Sequence, residues 1–215
     1  MSKEICKHRG RPKACTDETQ RRLIIDCSRR LFLEQGYGAT RTEDIATRCK
    51  ISKQTLYRLF PGKSALFAAV VDADRPQWLE LPVPDDLPLA AALERIFRID
   101  ISEDEDKERL DFFRMTLAEA QTYPELSEIA RTNGAQQAHA ALAIWMQRQA
   151  DRGLINLALD ALTSARMLSD MIFGAMILKS IGEFAWRSGE ARRAHIRAAI
   201  HVFLHGVCPA PAASS

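Results

Sequence analysis

Residues 40–60 read TRTEDIATRCKISKQTLYRLF, and this stretch decides the fold. It holds two short helical patterns separated by a tight turn and flanked by cations, the arrangement of a helix-turn-helix. In the first pattern, roughly Thr42 to Cys49, the residues Ile45, Ala46 and Cys49 share one face. Its start is ambiguous: Thr40 with Glu43 has capping-box spacing, and Thr42 could also cap. After a turn at Lys50 and Ile51, Ser52 is a good N-cap for a helix over Lys53 to Phe60, with Leu56 and Phe60 on its inner side. Pro61 and Gly62 end it.

A helix that enters a major groove must be narrow, capped and polar on one face, with its first turn nearest the base edges. Ser52, Lys53, Gln54 and Thr55 supply that turn. Gln54 can pair two bonds with adenine, Lys53 can donate to guanine or phosphate, and the Thr55 methyl can meet a thymine methyl. Tyr57 and Lys63 are expected at the sugar-phosphate backbone, Lys63 from a helix N-terminus that already favours an anion. Thr40, Arg41, Thr42, Lys50 and Arg58 complete the candidate DNA contacts. The alternative is a helical hairpin inside an ordinary bundle, with Lys53 and Tyr57 simply solvated.

The charge distribution favours DNA. The 215 residues carry a net +2, yet residues 1–63 hold 15 Lys and Arg against 7 Asp and Glu, a net of +8. The remaining residues are net −6, with 15 basic against 21 acidic. A concentrated positive field at one end attracts phosphate, while the acidic remainder resists wrapping by nucleic acid. Ahead of the first helix, the segment from Lys7 to Lys13 resembles a minor-groove hook, in which Arg9 and Arg11 lie in a narrow A·T tract. A disordered basic tail is the alternative, and both stand.

Working outward, apolar residues recur at helical spacing nearly everywhere without alternating runs, which predicts an all-α chain. The first helix starts after Thr16, with Asp17 and Glu18 in its first turn and an inward stripe of Leu23, Ile24, Cys27, Leu31 and Phe32; Gly36 stops it. A fourth helix runs from about Lys63 toward Asp74 and buries Leu66, Phe67, Val70 and Val71. Pro76, Pro82, Pro84 and Pro88 mark the connection to a second region. Five further helices are expected near Leu89–Ile101, Glu108–Gln121, Pro124–Arg152, Asp160–Glu183 and Glu190–His205, with the acidic run Glu103–Asp106 breaking the pattern. The division is therefore a basic arm (1–15), a helix-turn-helix domain (16–75) and a helical effector-binding and dimerisation domain (76–215).

Phe97, Phe112, Phe113, Trp145, Met146, Met171 and Phe173 could line a pocket for a small apolar effector, although singly each such residue is more often core. Met167, Met171, Ile196, Ile200 and Phe203 on the last two helices are the expected dimer interface. His201, His205 and Cys208 have i, i+4, i+7 spacing that could hold a metal, but Gly206 puts Cys208 outside the helix, so no metal or cofactor is assigned. Five cysteines without CxxC spacing suggest neither a disulfide framework nor a zinc finger. The longest apolar run, Met171 to Leu178, is far short of a membrane span, so a soluble cytoplasmic protein is expected. Nothing resembles a nucleophile elbow, a phosphate loop or an acid/base pair, so no enzyme activity is expected.

The series Gly36-Tyr37, Thr40, Asp44-Ile45-Ala46, Ile51-Ser52-Lys53, Thr55-Leu56-Tyr57, Phe60, Lys63 and Leu66-Phe67 resembles the N-terminal signature of the TetR/AcrR family. The likeness is strong over residues 17–70 and weaker from Phe112 to Leu154. It implies a homodimer whose recognition helices enter successive major grooves of a pseudo-palindrome, with repression relieved when a ligand binds the second domain. Two positions depart from the family pattern. Lys50 stands where Gly is usual in the turn, and Arg41 where Ser or Thr commonly precedes the first helix of the motif. A left-handed Lys50 would cost about 1 kcal/mol over Gly.

Overall fold

In the computed structural model of the chain, which describes residues 17–179 and 188–206, helices joined by turns account for the architecture, and the described residues contain no strand. Thr16, Arg9, Arg11 and Cys208 lie outside the described residues.

Helix α1 (Asp17–Ala39) carries Asp17 and Glu18 in its first turn, where negative charge suits the helix dipole. Its inner stripe is Ile24, Cys27, Ser28, Leu31 and Phe32. Leu23, expected in that stripe, is 45% exposed. At about 100° per residue the inner line through Ile24 and Leu31 passes through position 28, not 23. Ser28 fits there because its hydroxyl donates to the Ile24 carbonyl at 2.7 Å. The helix breaks at Gly36, whose φ of 83° only glycine adopts easily, and one further turn runs to Ala39.

Helices α2 (Thr42–Arg48), α3 (Lys53–Leu59) and α4 (Lys63–Asp74) pack on α1 around Ile45, Leu56, Phe60, Leu66, Phe67 and Val70. This core continues beyond α4. Phe67 stacks on Phe112 with ring centroids 5.7 Å apart, and Tyr37 meets Tyr123 edge-on at 5.3 Å.

A 3₁₀ turn at Arg75–Gln77 and the proline-rich connection lead to α5 (Leu89–Ile96). That helix stops short of the expected Ile101 because Arg98 turns left-handed, with φ 49°. The buried Arg192 fixes the turn, its guanidinium donating to the carbonyls of Ile99 at 2.7 Å and Ile101 at 3.1 Å. Helix α6 (Glu103–Glu119) corrects the reading of the acidic run. Those four acids are its first turn, and Ser102 and Glu105 form a capping box there.

Helix α7 (Glu125–Ile129), a π-helical stretch (Ala130–Ala135) and α8 (Gln136–Asp151) follow one another over the segment expected as one long helix. Helices α9 (Ala161–Lys179) and α10 (Gly189–His205) are the last of the described residues' helices. A second core gathers Leu93, Ile96, Phe97, Leu142, Trp145, Met146, Leu168, Ile172, Ile196 and Ile200. Ile196 and Ile200, expected at a dimer interface, are 1% and 2% exposed within one chain. They belong to this core because α10 turns that face toward α5 and α9.

Candidate nucleic-acid interface and effector cavity

The junction of α1 and α2 departs from both capping alternatives. Arg41 is the N-cap in extended conformation, and its N–H donates to Asp44 Oδ2 at 3.2 Å. Thr40 is fully buried and bolts the end of α1, its hydroxyl donating to the Gly36 carbonyl at 2.7 Å and facing that of Leu31 at 3.3 Å. A residue with no exposed surface cannot touch DNA, so Thr40 leaves the contact set. Thr42 stays outside, its hydroxyl 3.0 Å from the Tyr57 phenol.

The turn between α2 and α3 is a Schellman motif. The Lys50 N–H donates to the Thr47 carbonyl at 3.1 Å, the Ile51 N–H to that of Ala46 at 3.0 Å, and Lys50 takes φ 54°. Lysine therefore occupies the left-handed position that glycine usually fills, with its side chain in solvent. Ser52 then caps α3, accepting from the Thr55 N–H at 3.0 Å, and its hydroxyl also lies 2.9 Å from that of Thr55.

The first turn of α3 is thus held from within while its outer side stays open. Lys53 and Gln54 are exposed, and among the described residues Gln54 has no side-chain partner. The Lys53 ammonium reaches Glu43 at 2.9 Å, and that hydrogen bond holds the Glu43 carboxyl below its usual range. Arg58 points elsewhere. It grips Asp17 at 2.7 and 2.8 Å, tying α3 to the start of α1 and holding the Asp17 carboxyl low.

Lys63 corrects another expectation. Its ammonium turns inward, donating to the carbonyls of Tyr37 at 2.8 Å and Gly38 at 3.3 Å, and lies 4.3 Å from the Tyr37 ring centre. Partial burial pulls it below the usual lysine range, opposed by Glu119 and Glu125. It ties α4 to the broken end of α1 and does not point free into solvent. The N-terminus of α4 itself has no capping side chain, since Gly62 precedes it.

Behind the head, a cavity of about 320 Å³ lies among α4, α6, α8 and α9. Of the residues expected at an effector pocket, Phe112, Phe113 and Phe173 line it. Phe97, Trp145 and Met146 do not: they are 0%, 7% and 0% exposed and fill the second core. Met171 lines a different and larger hollow with Met167 and Phe203. The cavity also contains Asp74, Trp78, His139, Ser169 and Asp170, none of which was expected. Their sequence signal was faint, a single polar residue on an otherwise apolar face: Asp74 after Val70 and Val71, Ser169 between Ala165 and Ile172. The cavity reaches toward the head through Asp74, whose Oδ1 accepts from Arg29 Nε at 2.8 Å.

On the outer surface of α9, Met167 is 49% and Leu162 38% exposed, while Phe203 on α10 is half-buried. The rings of His201 and His205 lie 4.9 Å apart on the exposed side of α10, and the described residues contain no group of three metal ligands. Among them, no helix is long and apolar enough to cross a membrane.

Comparison with known proteins agrees with this geometry. Residues 24–70 match the bacterial regulatory proteins of the tetR family, and residues 91–206 match the C-terminal domain of AefR-like transcriptional repressors. Two HTH-type transcriptional regulators of Bacillus subtilis, YuxN and YdeS, are 41% identical over 51 residues and 36% identical over 83 residues. Those stretches cover 24% and 36% of this chain, and only 18% and 36% of the relatives. A solved TetR-family transcriptional regulator from Mesorhizobium loti superposes with a TM-score of 0.68 at 26% identity, over 88% of this chain and 97% of its own. The matched families consist of transcriptional regulators and not enzymes. With the second match alone covering more than half of its length, the chain belongs to the TetR family of helix-turn-helix transcriptional regulators.

Proposed function

We propose that this regulator is a homodimeric repressor that holds a pseudo-palindromic DNA site through two copies of α3 and lets go when a small apolar molecule enters the cavity beside Trp78. The observation that carries the reading is the first turn of α3. It is capped by Ser52, exposes Lys53 and Gln54, and follows a turn that presents Lys50. In a major groove, Gln54 reads adenine, Lys53 serves guanine or phosphate, and Thr55 offers its methyl to thymine. Arg41, Thr42, Lys50 and Tyr57 hold the flanking backbone, with the uncapped N-terminus of α4 accepting a phosphate. Arg58 contributes only by leaving Asp17, and Lys63 acts chiefly by positioning α4 against α1.

Dimerisation uses the outer surface of α9, where Met167 and Leu162 are exposed, together with Phe203. The protein works in the cytoplasm, where its DNA is. Sedimentation of the full chain with a duplex recovered for tight binding tests the assembly. Two chains per duplex are expected; one chain per duplex would overturn the paired-helix arrangement.

A further inference from the structure

Two buried side-chain polar atoms have no hydrogen-bond partner among the described residues: Asp74 Oδ2 and Ser169 Oγ. Both residues line the same 320 Å³ cavity, and their exposures are 6% and 5%. Buried polar atoms are ordinarily paired, because leaving one unsatisfied costs about 1 to 3 kcal/mol. Two orphans at one cavity mark where a ligand's polar group belongs. Most of the remaining wall is apolar and aromatic, with Val71, Trp78, Phe112, Phe113 and Phe173, and its other polar residues are Arg75, Thr116, His139 and Asp170.

The chemistry of the orphans selects the ligand. A carboxylate oxygen only accepts, and a serine hydroxyl both accepts and donates. Asp74 Oδ1 is already bonded to Arg29, so Oδ2 is the acceptor left over. Burial pushes the Asp74 carboxyl up while Arg29 pulls it down, so a donor at Oδ2 would support the charged form. Water can serve these atoms in solution, and a ligand that displaces it must reproduce its hydrogen bonds. Asp74 and Asp170 in the wall disfavour a further negative charge, and the cation among the lining residues, Arg75, is already paired with Asp72 at 3.6 Å.

We infer that the cavity takes a planar, apolar molecule that carries a hydrogen-bond donor and no negative charge, anchored by Asp74 Oδ2 and Ser169 Oγ. This rests on the cavity being the effector site. It also names the point of coupling. Asp74 is the last residue of α4, and its partner Arg29 on α1 reaches on to Glu108 of α6 at 3.3 Å. A donor on Oδ2 therefore acts on the carboxylate that joins the DNA-binding head to the cavity.

Equilibrium dialysis of the full chain against naphthalene, 2-naphthol and 2-naphthoate tests the assignment. These three share one aromatic body and differ in lacking a donor, carrying one, or carrying a negative charge. 2-Naphthol should bind tightest and 2-naphthoate weakest. Ser169→Ala removes an unsatisfied hydroxyl and should fold well; with Asp74→Asn, it should lower 2-naphthol affinity about fivefold to tenfold while leaving naphthalene unchanged. If both variants shift the two probes equally, or 2-naphthoate binds tightest, the anchors are wrong though the cavity still binds ligand. If no probe binds, or binding survives Ala138→Trp, which fills the cavity, the effector-site reading falls with it.

Discussion

Replacing Lys50 with glycine separates strain from DNA contact in one substitution. Lys50 adopts φ 54° at the C′ position of α2, in a Schellman turn whose two backbone bonds are both made. A non-glycine residue in the left-handed region costs about 1 to 2 kcal/mol. Glycine removes that strain but loses about 0.5 to 1 kcal/mol through the freedom it gains in the unfolded chain. The side chain is exposed, so no packing is lost. The balance is a stabilisation of about 0.5 to 1 kcal/mol, read as a raised urea midpoint at unchanged slope and about 2 °C in Tm. The lysine also carries a charge beside the first turn of α3. If it meets a phosphate, the glycine variant should bind DNA with a log-log salt slope about 0.9 shallower. Greater stability with weaker, less salt-sensitive binding would explain why lysine occupies this position at the expense of strain. An unchanged or lowered midpoint would refute the strain argument, whatever happened to the DNA.

Gln54→Ala should lose about 1 to 3 kcal/mol on the preferred site and flatten discrimination at one base pair per half-site; a uniform loss across all single-base variants would make Gln54 a positioning residue. Glu43→Gln releases Lys53 from its carboxylate partner, so binding should tighten on every sequence and its salt slope steepen, measured by fluorescence anisotropy at several salt concentrations. Thr40→Val leaves buried carbonyls without their donor and should destabilise the chain by about 1 to 3 kcal/mol with base preference unchanged; a change in base preference would return Thr40 to the interface. Met167→Arg should give folded monomers by sedimentation, whereas Ile200→Arg should unfold the chain, because only the second puts a charge in a core.

The helix-turn-helix was legible because its signals are local. Ser52 reads as a cap, Ile45, Ala46, Leu56 and Phe60 as inner faces, and the chain does fold that way at each. Signals that depend on distant partners were not. Thr40 reads as a cap, yet its hydroxyl turns back to the carbonyls of the preceding helix. Lys63 reads as a free cation, yet its ammonium finds the broken end of α1, a site that exists only once α1 and α4 are packed. The acidic run at Glu103 misleads for a different reason: its charge interrupts the apolar period and so reads as a break, yet it marks a first turn. Arg109 and Arg192, both 1% exposed, could not be foreseen as buried, because the backbone carbonyls that they donate to, those of Gln77 and Ile99, are brought in by folding. The cavity was half legible. Aromatic residues that fill a core and those that line a cavity share the same types and spacing, so in the sequence Phe113 and Phe173 read the same as Phe97, Trp145 and Met146. The polar residues that distinguish the cavity are single polar positions on apolar faces, and only the third dimension shows that Asp74 and Ser169 line one cavity.

Selection of duplexes from a random pool by the full chain tests the central claim most directly, since one experiment reports symmetry, spacing and base preference together. The expected product is a pseudo-palindrome whose half-sites are about one helical turn apart, or a multiple of it, with an adenine among the discriminating positions that Gln54→Ala alone relaxes. Recovery of a lone asymmetric site, or of no enriched sequence at all, would contradict a paired recognition helix at α3.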